Sequence, residues 1–339
     1  MIKIEKISVE NYTQYKTIVE QTQWGNILLP NAYHAGLWGG VVYEDEQVIG
    51  GWVGQYRGNK RIVKWIAKSI YFDSYPAFIT TEKAAQYQAQ LIDAMREWAR
   101  QERIVMLNLT HWVRGRELPG LQVEHNATFL LPLQETSKAQ MKKVESSQRN
   151  KIRKGEKNGV IVKAYEAEDA VKMIPVMQSL REQTQEHAIR KNAQASMLLK
   201  SDEYFKQLFL HTNSTLFIGY VQDRAAVVLV TMLSGATACS YSGGSDYELN
   251  RQTGCASYVR WKAIEYYREK GVKYMDMGGV PVQPEPTHPA YGVYAFKRSF
   301  GGEYMEFDAG VIVINKAKYA VLKWLLGQRK LLRMCSRLF

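Results

Sequence analysis

The distribution of apolar and polar positions along the 339-residue chain predicts the same set of elements twice. In the first half, strand-like apolar runs at residues 40–43 and 48–53 are joined by four polar residues. In the second half, runs at residues 216–221 and 225–233 are joined by three polar residues in the same way. Short apolar runs bounded by polar turns are typical of β-hairpins. We therefore predict one hairpin in each half.

A helix and a short strand follow each predicted hairpin. The pattern predicts a helix at residues 82–101 and a strand at 104–109 in the first half, and a helix at 255–270 and a strand at 272–277 in the second. The segments ARQERIVMLNLT and YREKGVKYMDMG align without a gap across the end of each helix and the strand that follows. Such a repeat indicates a duplicated α/β domain.

The formal net charge is +12, from 45 Lys and Arg against 33 Asp and Glu, and two segments carry this excess. Residues 138–163 contain nine basic and two acidic residues. This segment predicts a helix that ends at Asn158-Gly159. Charge gathered on one face attracts an anionic partner, whereas a solvated helix face is the alternative interpretation.

The second basic segment follows Asp308, after which seven basic residues and no acidic residue occur. It predicts an amphipathic helix from about Lys316, with Val321, Trp324 and Leu325 on the apolar face. Two interpretations are open: the helix docks on its own domain, or it lies on an anionic membrane surface.

Several classes of function are disfavoured. No apolar run approaches the roughly 18 residues of a membrane-spanning helix, and the first twelve residues lack the apolar stretch of a signal peptide, so we expect a cytoplasmic protein. The three cysteines are not spaced as disulfide or zinc-binding pairs, and the six histidines are not spaced as metal ligands. We therefore expect neither a disulfide framework nor a metal site. Motifs of serine hydrolases, zinc proteases, P-loop NTPases and Rossmann proteins do not occur.

The segment SYSGGSDYELNRQTGCASYVRW places a predicted helix start near Gly254, where backbone N–H groups can hold an anion. Arg251, Gly254 and Ala256 also fit the R/Q-x-x-G-x-G/A pyrophosphate loop of the GNAT acyl-CoA-dependent transferases. Ordinary turn chemistry is the alternative explanation of so short a pattern. A second glycine pair, Gly278-Gly279, ends the next predicted strand and precedes a proline-rich loop. Two interpretations of this loop are open: it lines a cleft, or it is an ordinary surface loop.

The segment YGVYAFKRSFGGE is the most specific feature of the chain. Lys297 and Arg298 lie between the aromatic residues Phe296 and Phe300. A lysine held by aromatic packing can stabilise an oxyanion or a phosphate. The alternative is a cation that rests on an aromatic ring at the surface.

Taken together, these segments resemble the Fem-type peptidoglycan bridge aminoacyltransferases. The similar stretches are RNKIRKGEKNGVIVKAY, the run from SYSGG to DMGGV, and YGVYAFKRSFGGEYMEF, in this order, and the first half is similar around QTQWGNI. The resemblance implies an α/β (α+β) fold of two GNAT-like domains, each a mixed central sheet flanked by helices, with a cleft between them. The implied domains are residues 1–137 plus 311–339, and residues 138–310. The long coiled-coil arm of some relatives is missing.

The resemblance also implies a reaction: an amino acid passes from aminoacyl-tRNA, a cosubstrate, to an amine of a nucleotide- or lipid-linked muropeptide. No other cofactor is implied. Lys297 would be catalytic, stabilising the oxyanion or the leaving ribose. The implied substrate-binding residues are Phe296, Tyr241, Gly243, Trp24 and Gly279. The residues expected to contact nucleic acid or phosphate are Arg149, Lys151, Arg153, Lys154 and Arg298. Thr110 stands where many relatives carry an Asp, so no general base is assigned in the first domain.

Two other classes of function are open at this stage. One is an acyl-CoA-dependent GNAT N-acyltransferase that acts on a cell-surface sugar or amine and uses the loop at Arg251, Gly254 and Ala256. The other is a non-catalytic module that binds nucleic acid or anionic membrane through its basic segments. For the aminoacyltransferase we also expect peripheral contact with anionic membrane through the C-terminal helix.

Overall fold

The computed structural model describes residues 2–20, 37–57, 65, 68–72, 78–80, 86–113, 120–190 and 201–327. The chain divides into two compact units. The first unit comprises Met1–His125 and Phe307–Phe339, and the second comprises Asn126–Glu306. The domain boundaries implied by the resemblance, after residues 137 and 310, stay predictions.

The described residues form strands in both units. These are β1 (Ile2–Lys6), β2 (Leu37–Glu44), β3 (Gln47–Arg57), β4 (Ser69–Phe72), β5 (Phe78–Thr80), β6 (Met106–Val113), β7 (Leu121–Pro132), β8 (Ile161–Glu166), β9 (Ser214–Val221), β10 (Arg224–Ser234), β11 (Thr237–Ser245), β12 (Tyr274–Asp276) and β13 (Glu303–Val313).

The described helices are distributed along the chain between these strands. They are α1 (Val9–Glu20), α2 (Gln88–Gln101), α3 (Ser137–Lys143), α4 (Ser146–Lys157), α5 (Ala167–Lys172), α6 (Ile174–Arg190), α7 (Asp202–His211), α8 (Tyr247–Thr253), α9 (Cys255–Glu269), α10 (Tyr291–Arg298) and α11 (Lys316–Gly327).

The first unit contains a mixed sheet in the order β1-β2-β3-β4-β6-β13, with β5 paired to β3. Strands β4 and β6 are parallel, because α2 lies between them in the chain and returns it to the same edge. The predicted β2–β3 hairpin turns at Asp45 and Glu46, whose φ values are 46° and 66°. Positive φ at both central residues matches the twist of the flanking strands.

The second unit repeats this plan in the order β7-β12-β11-β10-β9-β8. The β9–β10 hairpin turns at Gln222 and Asp223, with φ values of 48° and 62°. Helix α9 then leads into β12, which is parallel to β11. The hairpin, the helix and the parallel strand therefore occur twice, which confirms the prediction of a mixed sheet flanked by helices.

Helices cover both faces of the second sheet. On one face, α9 buries Val259, Ala263 and Ile264 in the core. On the other face, α6 approaches so closely that a Cβ at Gly244 would lie 2.6 Å from the backbone nitrogen of Arg181. The sheet is thus enclosed between helices.

The first basic segment differs from its prediction, because it forms two helices rather than one. Helix α3 ends at Val144, which adopts an extended conformation with ψ of 134° and is buried in the core. Helix α4 then begins at Ser146 and ends at Asn158. Gly159 follows with φ of 66°, so the predicted helix end is confirmed. Burial of the Val144 side chain outweighs the continuous helical pattern of the basic residues.

The second basic segment forms α11 as predicted from Lys316. Leu322 is buried, whereas Val321 and Trp324 on the predicted apolar face are 45% and 63% exposed. Residues 328–339 lie outside the described part of the chain. Among the described helices, none combines the length and the apolar character needed to cross a membrane.

Candidate active site of the second unit

The site is built around the turn that follows β12. The strand ends at Asp276, and the chain turns through Gly278, whose φ is 83°. A Cβ at Gly278 would lie 2.9 Å from the carbonyl oxygen of Ser240 and 3.2 Å from Nζ of Lys297. Glycine is required here for its conformation and for the close approach of a lysine ammonium.

Lys297 lies in the last turn of α10, and its Nζ donates a hydrogen bond to the carbonyl oxygen of Gly279 at 2.9 Å. The ring of Phe296 packs edge-to-face on that of the fully buried Phe300, at 5.3 Å between centroids, and this contact anchors the end of the helix. Burial lowers the pKa of Lys297 to about 8; the charge of Arg260 lowers it further and that of Asp276 opposes the shift.

Asp276 is fully buried at the end of β12, between Cys239 on β11 and Leu130 on β7. Its Oδ1 accepts hydrogen bonds from the Thr128 hydroxyl and from the backbone N–H of Gly278, the latter at 2.7 Å. Its Oδ2 has no hydrogen-bond partner among the described residues. Burial raises the pKa of Asp276, and the hydrogen bonds and nearby cations oppose this shift.

Arg260 provides a second cation of the site and is itself buried. It projects from α9 and donates a hydrogen bond from Nη1 to the hydroxyl of Ser240. Burial lowers the pKa of Arg260 to about 10, and the charge of Asp276 opposes the shift. Arg260, Asp276 and Lys297 thus form a set of two cations and one carboxylate, which we call the charged trio.

Tyr241 occupies an irregular position on β11. In the pairing with β10, Ser240 lies opposite Thr231 and Ser242 lies opposite Val230, so Tyr241 forms a β-bulge. Bulges re-aim side chains and recur beside active sites. The Tyr241 hydroxyl is hydrogen-bonded to that of Tyr204 on α7.

Arg181 on α6 lies close to these two tyrosines and was not recognised from the sequence. Its guanidinium is buried, lies 4.7 Å from the centroid of the Phe205 ring, and donates to the side-chain oxygen of Gln178 at 2.6 Å. Burial lowers the pKa of Arg181, and the charges of Tyr241, Glu182 and Tyr204 oppose the shift. The predicted residue Tyr241 therefore belongs to a polar and aromatic cluster.

The other predicted substrate-binding residues have different surroundings. Gly279 is exposed, and its carbonyl oxygen accepts the hydrogen bond from Lys297. Phe296 is partly buried and packs against the core. Gly243 lies on β11 two residues beyond Tyr241, with its Cβ position 3.2 Å from the carbonyl oxygen of Val228. Trp24 lies outside the described residues.

The predicted basic residues of α4 divide between two sides of the helix. Arg149 and Arg153, one turn apart, line a groove of about 870 Å³ with Lys138, Lys142 and Lys262. Arg149 also donates to the carbonyl of Val144 at the end of α3.

Lys151 and Lys154 lie on the other side of α4, beside the junction of α8 and α9. There, Nζ of Lys154 donates to the carbonyl oxygen of Arg251 at 3.3 Å. Arg298 forms an ion pair with Glu145 at 3.3 Å, which links α10 to the start of α4. Of the predicted phosphate contacts, the groove collects only Arg149 and Arg153.

The residues that fit the pyrophosphate-loop pattern form a junction between two helices. Gly254 has φ of 76°, and a Cβ there would lie 2.6 Å from the carbonyl oxygen of Lys151 on α4. The N–H of Ala256 donates to the side-chain oxygen of Asn250 at 2.8 Å, and Arg251 pairs with Glu248 at 3.0 Å. The amide of Ala256 is therefore already bonded, and α4 packs over the turn.

The sequence drew attention to Lys297 and to the glycines before it, but not to Asp276 or Arg260 as site residues. Asp276 had one usable signal, since it is a carboxylate at a predicted strand end, separated from a glycine pair by Met277 alone. No sequence signal marked Arg260 as a site residue, because it lies within a predicted helix whose pattern is that of a core helix. Its contact with Ser240 depends on how α9 packs on the sheet.

Residues 142–298 match the family described as the acetyltransferase (GNAT) domain. A crystal structure of FemX aligns over 94% of this chain and 99% of that chain, with a TM-score of 0.68 and 15% identity. The structure of L-PGS from Bacillus licheniformis aligns over 95% and 96%, with a TM-score of 0.55 and 8% identity. No curated protein sequence matches the chain.

A tandem GNAT protein from the clavulanic acid biosynthesis pathway, solved without AcCoA, has a TM-score of 0.53 and 12% identity, with 93% of this chain and 99% of that chain aligned. Together these likenesses establish that the protein has a tandem GNAT fold, as the resemblance implied.

Proposed function

We propose that this protein is an aminoacyltransferase that moves an amino acid from aminoacyl-tRNA to an amine of a peptidoglycan precursor, with Lys297 as its catalytic residue. The observation that carries this proposal is the position of the Lys297 ammonium, 2.9 Å from the Gly279 carbonyl at the end of a central strand. A partly desolvated ammonium at a strand end can stabilise negative charge that develops on a reacting carbonyl. The tandem GNAT fold and the likeness in fold to FemX support the proposal.

The proposed reaction is attack of a neutral acceptor amine on the ester carbonyl of the aminoacyl group. The new C–N bond places negative charge on the carbonyl oxygen, and the Lys297 ammonium lies nearby to stabilise it. When the tetrahedral intermediate collapses, the C–O bond to the ribose breaks, the attacking nitrogen gives up one proton, and the ribose oxygen takes up one. A lysine whose pKa is about 8 holds its proton at neutral pH yet releases it more readily than an ordinary lysine. Lys297 can therefore stabilise the negative charge on the carbonyl oxygen and donate a proton to the ribose oxygen.

We assign acceptor and substrate contacts to Tyr241, Gly243, Phe296 and Gly279. The bulge at Tyr241 turns its hydroxyl toward Tyr204, and Arg181 adds positive charge beside the pair. Muropeptides carry carboxylates as well as amines, so a cation beside tyrosine hydroxyls suits such an acceptor.

We assign the tRNA phosphates to the groove beside α4. Lys138, Lys142 and Arg153 line it, and Tyr258 and Trp261 form part of its wall. Lys262 in the same groove is paired with Glu265 at 2.8 Å. Unpaired basic side chains around aromatic residues suit a phosphodiester chain, through contacts that do not depend on base sequence.

The test is a transfer assay with a panel of charged tRNAs and both nucleotide-linked and lipid-linked muropeptides. We expect transfer by the wild-type chain and a loss of about 10²–10³-fold in kcat for Lys297→Met. Lys172→Met, an exposed α5 lysine paired with Asp169, is the matched control and should transfer normally. A wild-type chain that transfers nothing across the panel, or a fully active Lys297→Met, would overturn the proposal.

A second candidate is an acyl-CoA-dependent N-acyltransferase that acts on a cell-surface sugar or amine. The family match of residues 142–298 to an acetyltransferase domain favours it. The bonded amide of Ala256 and the packing of α4 over Gly254 argue against the predicted pyrophosphate loop. Calorimetric titration with CoA separates the two, since saturable binding that Gly254→Asp abolishes would favour the CoA-dependent reaction.

We further propose that the protein works in the cytoplasm and touches the inner membrane surface through α11. Val321 and Trp324 are exposed on this helix beside Lys323, and Nζ of Lys318 lies 5.0 Å from the ring of the exposed Trp65. Tryptophan beside lysine is typical of interfacial surfaces. Cosedimentation with vesicles that contain anionic lipid should decrease for Trp324→Glu, and equal sedimentation would contradict this contact.

A further inference from the structure

We propose that Asp276 and Arg260 are positioning residues that fix the Lys297 ammonium at the turn after β12 and balance its charge. This inference rests on the proposed role of Lys297. It adds two residues that lie far from Lys297 in the sequence and that no motif identified.

The first argument is geometric. Asp276 Oδ1 accepts a hydrogen bond from the N–H of Gly278 at 2.7 Å, and it is also held by the Thr128 hydroxyl. The next residue, Gly279, supplies the carbonyl that accepts from Lys297. The Asp276 side chain therefore sets the turn that holds the ammonium. A change in Asp276 moves the acceptor of Lys297 even without direct contact between the two side chains.

The second argument concerns the other carboxylate oxygen. Oδ2 of Asp276 is fully buried and has no hydrogen-bond partner among the described residues. A buried carboxylate that lacks a hydrogen bond on one oxygen needs a nearby positive charge. Lys297 and Arg260 supply it, because Lys297 bonds the Gly279 carbonyl and Arg260 bonds Ser240, next to the register partner of Asp276. Each also lowers the pKa of Asp276 through its charge.

With two cations and one carboxylate, the charged trio carries one excess positive charge around the fully buried Asp276. Such an excess is unfavourable in the resting protein and is neutralised when one negative charge forms beside it. An oxyanion in the transition state provides that charge, so the trio stabilises the transition state more than the ground state.

The groups around Lys297 can be named element by element. Arg260 reaches it from α9 and Asp276 from β12. Strand β11 contributes Ser240, which does not titrate, and Cys239, a buried thiol whose pKa burial and Asp276 both raise. Arg298 on α10 is paired with Glu145. Among these described groups, Arg260 and Asp276 are therefore the ones whose charges act on Lys297.

The experiment is a ¹³C NMR titration of the Lys297 side chain in the full chain, without substrate. Asp276→Asn keeps an oxygen for Thr128 and Gly278 but removes the charge, so we expect the pKa of Lys297 to fall by about one unit. Arg260→Gln removes a cation, so we expect a rise of similar size, whereas Arg260→Lys should keep the wild-type value. Opposite shifts are not expected from purely structural damage. Unchanged values, or shifts in one common direction, would overturn the proposal.

The alkaline limb of kcat/KM should move with these pKa values. Because the titration needs no substrate, it stands even if aminoacyl transfer fails, and the two proposals can fail separately. If Asp276→Asn does not fold, the pKa of Asp276 is measured instead, by ¹³C NMR titration of its carboxyl carbon in the wild type and in Lys297→Met. Its pKa should rise in Lys297→Met relative to the wild type, and an equal pKa would overturn the proposal.

Discussion

The ammonium of Lys297 donates a hydrogen bond to the carbonyl oxygen of Gly279 at 2.9 Å, and so joins the end of α10 to the turn after β12. The two residues are eighteen positions apart, on either side of a proline-rich loop. The contact exists because Gly278 has no side chain to separate them. A cation in this place can act on a carbonyl oxygen of a substrate.

The rate of transfer should fall as the pH rises above about 8. The ammonium is the active form of Lys297, and burial lowers its pKa to about 8. Because the acceptor amine must be neutral, kcat/KM is calculated on the concentration of neutral amine, and it should then be constant below that pH and decrease about tenfold per unit above it. Initial rates measured across this pH range, at saturating and at limiting acceptor concentrations, give this alkaline limb of the profile. An identical alkaline limb in the residual activity of Lys297→Met would contradict the assignment.

The same lowered pKa predicts how folding stability depends on pH. Between about 8 and the ordinary pKa of lysine, the unfolded chain binds this proton more tightly than the folded chain, so the contribution of Lys297 to the free energy of unfolding should rise with pH. Urea unfolding of the wild type and Lys297→Met at several pH values isolates this contribution. The difference between the two proteins should change across this window and stay constant below it.

Gly278→Ala should impair both activity and stability. A Cβ would meet the Ser240 carbonyl oxygen at 2.9 Å and Lys297 Nζ at 3.2 Å, and φ of 83° is unfavourable for alanine. We expect a loss of about 1–3 kcal/mol in the free energy of unfolding and at least about tenfold in kcat. Gly292→Ala on α10, where a Cβ meets nothing within 4 Å, is the matched control. Equal activity of the two variants would contradict the arrangement.

Gly254→Ala should destabilise the protein through a backbone contact and not through loss of a CoA site. Its Cβ would lie 2.6 Å from the Lys151 carbonyl oxygen, in addition to the strain of φ at 76°. Gly271 has a similar φ of 74°, but a Cβ there would meet nothing within 4 Å. Gly271→Ala therefore measures the cost of the backbone strain without the cost of the close contact. We expect Gly254→Ala to cost more of the free energy of unfolding, by about 1 kcal/mol or more. Equal costs would show that α4 does not press on this turn.

Substitution in the groove should weaken tRNA binding in a salt-dependent way. Arg153→Gln and Lys142→Gln each remove one cation, so each should reduce the slope of log affinity against log salt by about 1. Filter binding between low and moderate salt measures the slope, with Lys172→Gln as the control. A slope unchanged in both groove variants would place the RNA elsewhere.

Local patterns in the sequence were sufficient for the repeated elements. Both hairpins occur because short apolar runs and polar turns encode them over a dozen residues, and α9 occurs because its apolar positions follow the helical period. The division of the first basic segment at Val144 was not predicted. Its polar residues continue the helical pattern, and only packing of one valine into the core interrupts it.

By itself, the sequence determined the duplicated α/β plan, the two basic segments and the chemical interest of Lys297, since each is a property of neighbouring residues. Only the tertiary structure decided which charges surround that lysine. Asp276 reaches the site through the register of β12 between β11 and β7, and Arg260 reaches it through the packing of α9 on the sheet. Electrostatic interactions depend on distance in space, and the chain brings these three charges together only when both contacts have formed.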